Sequence, residues 1–149
     1  MNEIDMLFEE KRVKTLELQK EKDKIEQEIK DLTMPLLTDR KMISVVYEWF
    51  KDILSERDCP PDPASPYQRR KFLFIILMLY NPVFFTGEKM LSGLRRDIAR
   101  CLNIKEESVI SANCSNVYFL YKHYKDFRGD IESIYSKILD RLKGCDEHS

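Results

Sequence analysis

The sequence predicts an all-α protein, a helical arm followed by a small helical domain, and three observations carry that expectation. Only four glycines and six prolines interrupt 149 residues, which leaves little chemistry for the tight turns of a β-rich fold. Apolar residues recur at intervals of three and four, the period of a helix. Four of the prolines fall in one run, Cys59–Pro66 (CPPDPASP), between two segments that are otherwise nearly free of breakers. With a hydrophobic fraction of 43%, the length suits one compact domain plus an extension.

Residues 3–32 contain no Gly or Pro and are dense in charge. Ile4, Phe8, Leu18, Ile25, Ile29, Leu32 and Leu36 follow a three-four alternation, broken by Lys11, Thr15 and Lys22. This partial heptad predicts a coiled-coil helix that self-associates or binds a partner helix, because so polar a helix gains little stability without packing its stripe. Pro35 ends it. Thr38 or Asp39 is placed to cap a second helix over 39–56, with Met42, Ile43, Val46, Trp49, Phe50 and Ile53 on its apolar face. The sequence thus divides into an arm over 1–58, a stiff proline-rich linker over 59–66, and a domain over 67–144.

That domain should hold four main helices. Residues 67–80 are apolar nearly all round in their second half, which predicts a central helix. Asn81-Pro82 stops it, and Val83–Lys89 reads as a loop with Phe84 and Phe85 plugging the core. A helix over Met90–Leu102 begins irregularly at Ser92-Gly93, and another runs over Glu106–Tyr124. The last, Asp130–Leu142, is capped by Asp130 and stopped by Gly144. Its stripe is Ile131, Ile134, Tyr135, Ile138 and Leu142.

Arg95–Cys114 (RRDIARCLNIKEESVISANC) has the apolar spacing of a helix-turn-helix. Ile98, Leu102, Ile104, Val109 and Ala112 fall at its buried positions, and Ala99 where two helices cross closely. Asn103 falls at the turn, where the backbone goes left-handed and Asn is tolerated next after Gly. The second helix of such a unit can enter a DNA major groove. Ser108, Ser111, Asn113 and Asn116 would then reach base edges or phosphates. Arg95, Arg96, Arg100 and Lys105 would hold the backbone. Glu106 and Glu107 suit the helix dipole but repel phosphate, which predicts weak sequence specificity, or a helix-turn-helix used mainly for packing or protein contacts.

The formal charge of −1 conceals an asymmetry. Residues 1–58 carry 11 Lys/Arg against 15 Asp/Glu, and residues 67–149 carry 14 against 10. A mildly basic C-terminal half is compatible with a nucleic-acid partner. Cys59, Cys101, Cys114 and Cys145 form no CxxC, and no signal peptide is evident, so a cytoplasmic protein with reduced thiols is expected. The CxxH of Cys145 and His148 has no second pair, so no metal is expected. The apolar run Phe72–Tyr80 is shorter than the ~20 residues of a membrane span. Two histidines, no glycine-rich phosphate loop and no nucleophile elbow predict neither an enzyme nor a cofactor.

Leu91–Asn116 resembles the helix-turn-helix of the Trp-repressor superfamily, which includes the DNA-binding C-terminal domain of bacterial replication initiators. Asp97-Ile98-Ala99, Leu102-Asn103-Ile104 and Val109-Ile110 carry the likeness. GLRRDIARCLNI and NVYFLYKHYKDFR, within residues 67–143, are similar to small proteins of bacterial prophages and other mobile elements. The helix-turn-helix spacing and this resemblance together give the expectation of a DNA-binding protein, made dimeric by its coiled-coil arm, in the regulation or replication of a mobile element. The alternative is an adaptor, or a phage packaging or virion assembly protein, working through the coiled-coil arm.

Overall fold

The computed structural model describes residues 2–148, and the regular elements in that range are all helical. The chain divides into two units, Met1–Met34 and Pro35–Ser149. The first is a single helix, α1 (Glu3–Leu32). Asn2 caps it, its Oδ1 accepting from the Asp5 N–H at 2.9 Å. Glu3 and Asp5 in the first turn and Lys30 in the last complement the helix dipole. No residue of α1 is buried.

The second unit contains α2 (Met42–Ser55), α3 (Pro66–Tyr80), a 3₁₀ turn (Pro82–Thr86), α4 (Leu94–Cys101), α5 (Glu107–His123) and α6 (Lys125–His148). Ser65 accepts from the Gln68 N–H, and Pro66 supplies a preset first helical residue for α3. Phe72–Leu77, Leu79 and Tyr80 are buried, so α3 is the central helix the sequence predicts, packed against α2, α5 and α6. No helix among the described residues is long and apolar enough to cross a membrane.

Three features differ from the sequence reading. First, α2 is not part of the arm. Its face of Ile43, Val46, Phe50, Ile53 and Leu54 is buried, and the Phe72 ring lies 4.8 Å from that of Tyr47 and 5.4 Å from that of Phe50. The segment before α2 is tied to α3 as well: the Leu37 N–H donates to the Leu79 carbonyl at 3.0 Å, and the Tyr80 hydroxyl to that of Asp39 at 2.6 Å. The break therefore falls at Met34/Pro35, and the proline-rich run connects two helices of one unit. Second, neither Thr38 nor Asp39 occupies the cap position of α2, which is Lys41; Asp39 Oδ1 instead accepts from the Lys41 N–H. Third, α6 starts at Lys125 and continues through Gly144. Phe127 is buried in step with Ile131, Ile134 and Ile138, so helix geometry is needed before Asp130 to seat it. Asp130 is not a cap; its carboxylate takes hydrogen bonds from Arg57 and Lys71.

Candidate nucleic-acid interface

The surface singled out by the sequence is built on α4, the turn after it, and α5. Asn81, buried behind the 3₁₀ turn, accepts the Leu91 N–H on its Oδ1 at 2.9 Å and fixes the loop that enters α4. Gly93, at φ 81°, starts the helix. Leu94, Ile98 and Ala99 are its buried residues, and α4 packs against α2 and α5.

The C-terminus of α4 is closed by two bonds. The Asn103 N–H donates to the Arg100 carbonyl at 3.2 Å, and the Ile104 N–H to that of Ala99 at 2.8 Å. With Asn103 at φ 57°, this is a Schellman motif with asparagine in the left-handed position. The turn residue therefore has the conformation its identity predicts. Ile104 is half-buried and folds the chain back towards α5.

The buried stripe of α5 is Ile110, Asn113, Cys114 and Val117. This register sorts the predicted contact residues. Arg96, Arg100, Lys105, Ser108 and Asn116 are exposed, whereas Arg95 and Ser111 are half-buried. Asn113 faces inward, with its Nδ2 donating to the Val109 carbonyl at 2.6 Å, so it is a packing residue and not a base reader. Ala112, expected in the core, is exposed because it lies across the helix from the stripe. Leu102, Ile104 and Val109 are half-buried, and Ile98 and Ala99 fully so.

The structure adds cations that spacing along the chain does not reveal. Arg40 and Lys41, just before α2, and Ser44 in its first turn line a shallow groove with Asp97, Arg100 and Cys101 of α4. Arg40 Nη1 pairs with Asp97 Oδ2 at 3.1 Å, and Arg40 Nη2 donates to the Ser92 carbonyl at 3.4 Å. Three cations there outnumber one carboxylate. The signal was not local, since Arg40 and Asp97 are 57 residues apart.

Neither thiol of this region is activated. Burial raises the Cys101 pKa, partly offset by a hydrogen bond with Ser44. Burial pushes Cys114 up to about 12, against the lowering effect of the Arg95 charge. Both are protonated at neutral pH.

Further along α5 the aromatic residues divide. Tyr121 turns inward and stacks on Phe74, centroids 4.5 Å apart, with its hydroxyl donating to Glu132. Tyr118, Phe119 and Tyr124 are exposed, and the Phe119 and His123 rings lie 4.3 Å apart. Compared with protein-family models, curated proteins and solved structures, the chain matches none.

Proposed function

We propose that this chain is a DNA-binding protein that uses α4, the Asn103 turn and α5 as a helix-turn-helix and pairs through α1, in the regulation or replication of a mobile element. The observation that carries the reading is the Schellman turn at Asn103 with Arg96, Arg100, Lys105 and Ser108 all exposed around it. Arginine and lysine flanking a short turn suit phosphates, and Ser108 stands on the first turn of α5, where such units approach base edges. Arg40 and Lys41 enlarge the basic surface. With Asn113 buried and Glu106-Glu107 exposed beside the turn, binding rests on phosphates more than on bases.

Fluorescence anisotropy of labelled duplex DNA tests this directly. Wild-type protein should bind in a salt-sensitive manner. The triple variant Arg96→Ala/Arg100→Ala/Lys105→Ala should bind at least tenfold more weakly and reduce the log–log salt slope by about 2 to 3. Binding that is absent at low salt, or that survives the triple variant unchanged, overturns the reading.

The second reading is a protein-binding adaptor. It is favoured by α1, whose Ile4, Phe8, Leu18, Ile25, Ile29 and Leu32 are all exposed, and by the acidic pair that opens α5.

A further inference from the structure

The charges of α1 go beyond self-association and select its orientation. The six exposed apolar side chains just named, with Lys11, Thr15 and Lys22, occupy alternating three- and four-residue steps on one side of the helix. These are the inward positions of a two-stranded coiled coil. A second stripe, Met6, Val13 and Leu16, is shorter, and Glu9, Glu10, Lys14 and Glu17 lie along it. The longer seam is therefore the contact face. On one flank of it lie Asp5, Arg12, Gln19 and Glu26; on the other lie Leu7, Lys14, Glu21 and Glu28.

A parallel, in-register pair stacks Lys11 on Lys11 and Lys22 on Lys22 of the second copy. Its flanking pairs, each residue with the one five positions on, are Leu7 with Arg12, Lys14 with Gln19, and Glu21 with Glu26. That arrangement holds two like-charge core layers and a repulsive flank, with no attraction to offset them. An antiparallel pair placed so that residue 18 faces residue 22 behaves differently. Phe8 then packs on Leu32, Lys11 on Ile29, Thr15 on Ile25 and Leu18 on Lys22. Its flanks bring Arg12 to Glu26 and Lys14 to Glu28, each twice by symmetry, against a single Glu21–Glu21 encounter. Sliding the antiparallel pair one heptad one way brings Lys11 onto Lys22 in two core layers and Asp5 beside Glu26, which offset its Lys14–Glu21 pairs; sliding it the other way brings Glu21 beside Glu28 with no flanking attraction.

Within one helix Arg12 and Glu26 have only loose partners. Arg12 lies 3.6 Å from Glu9, and Glu26 lies 3.8 Å from Lys22, with all four side chains at least half exposed. The Lys22–Glu26 contact also draws the Lys22 ammonium out of the seam towards the flank, as a long cationic side chain does over apolar neighbours.

We infer that α1 pairs with α1 of a second copy of this chain as an antiparallel coiled coil, overlapping over residues 8–32 and held in register by Arg12–Glu26 and Lys14–Glu28. The inference rests on the self-association reading above and adds its geometry. Leu32 of one copy and Leu32 of the other are then separated by 24 residues of helix, about 36 Å.

The test is charge reversal in the full chain, read as molar mass by sedimentation equilibrium. Trp49 fluorescence serves as the check that the second unit stays folded. The wild type should be a dimer. Arg12→Glu/Lys14→Glu and Glu26→Lys/Glu28→Lys should each weaken the dimer by about tenfold or more, since every cross-pair becomes like-charged. Mixed in equal amounts, the two variants should recover wild-type affinity or better, because each cross-pair is again attractive. Parallel pairing predicts the reverse: Glu26→Lys/Glu28→Lys tightens the dimer by relieving Glu21, and mixing gives no recovery. That result overturns the orientation while leaving self-association standing. A wild type that is monomeric at about 100 µM, too weak a pairing to match the seam it exposes, overturns both.

Discussion

Asn103 is the only non-glycine residue with positive φ among those described. An L-residue with a Cβ costs about 1–2 kcal/mol in the left-handed region, and asparagine reduces that cost by hydrogen bonding locally. Glycine removes it. Asn103→Ala should therefore destabilise the chain by about 1 kcal/mol, and Asn103→Gly should be neutral or slightly stabilising. Urea denaturation followed by Trp49 fluorescence reads both. If alanine were tolerated as well as glycine, the turn would not depend on the conformation at residue 103. Asn113, ten residues on, makes the opposite point. A polar side chain on a helix reads as exposed, yet this one satisfies an amide on the Val109 carbonyl and is 6% exposed. Its inward position was within reach of the sequence, because Ile110, Cys114 and Val117 already define an apolar stripe that contains residue 113.

At the level of whole elements, helix period locates all six helices, and the ends are where tertiary packing decides. The break between α5 and α6 has neither glycine nor proline; it is a single extended residue, Tyr124 at φ −116° and ψ 110°, and nothing local in the sequence marks it. Asp130 reads as a cap because caps and mid-helix aspartates look alike until a partner is known. The membership of α2 was not legible either, since its aromatic contacts with Phe72 cross the proline run that lies between them in the sequence. Gly129 shows how α6 overrides a local signal. It sits inside the helix and is exposed, and a Cβ built there meets nothing within 4 Å. Gly129→Ala should thus stabilise the protein by about 0.5–1 kcal/mol through helix propensity alone. A lower thermal midpoint in that variant would mean that the residue has a conformational role which its place in the helix does not reveal.

At the scale of the whole second unit, a partly buried polar junction ties α6 to α3 and to the segment after α2. Asp130 on α6 accepts Nζ of Lys71 from α3 at 2.6 Å and the guanidinium of Arg57, which follows α2. Asp130 is 73 residues from Arg57 and 59 from Lys71, so the junction joins the end of the chain to its middle. Lys71 is 4% exposed, and its ammonium also lies 4.3 Å from the centroid of the Tyr67 ring. Burial by itself raises the Asp130 pKa, but the hydrogen bonds and charges of Arg57 and Lys71 together outweigh it, and the net shift is downward. A carboxyl with a depressed folded-state pKa stabilises the fold above its unfolded value, near 3.8, and loses that contribution as pH falls through the folded value. The contribution of Asp130 to wild-type stability should therefore be lost progressively as pH falls below about 4. Asp130→Asn removes the anion and leaves the buried ammonium facing a neutral amide, which should cost about 2–3 kcal/mol at pH 7. Because the variant has no charge at this position to lose, the gap between it and the wild type should shrink as the pH is lowered from 5 to 3. Urea midpoints at several pH values measure that gap. A gap that stays constant across the range would show that Asp130 acts through shape and hydrogen bonding, not through its charge.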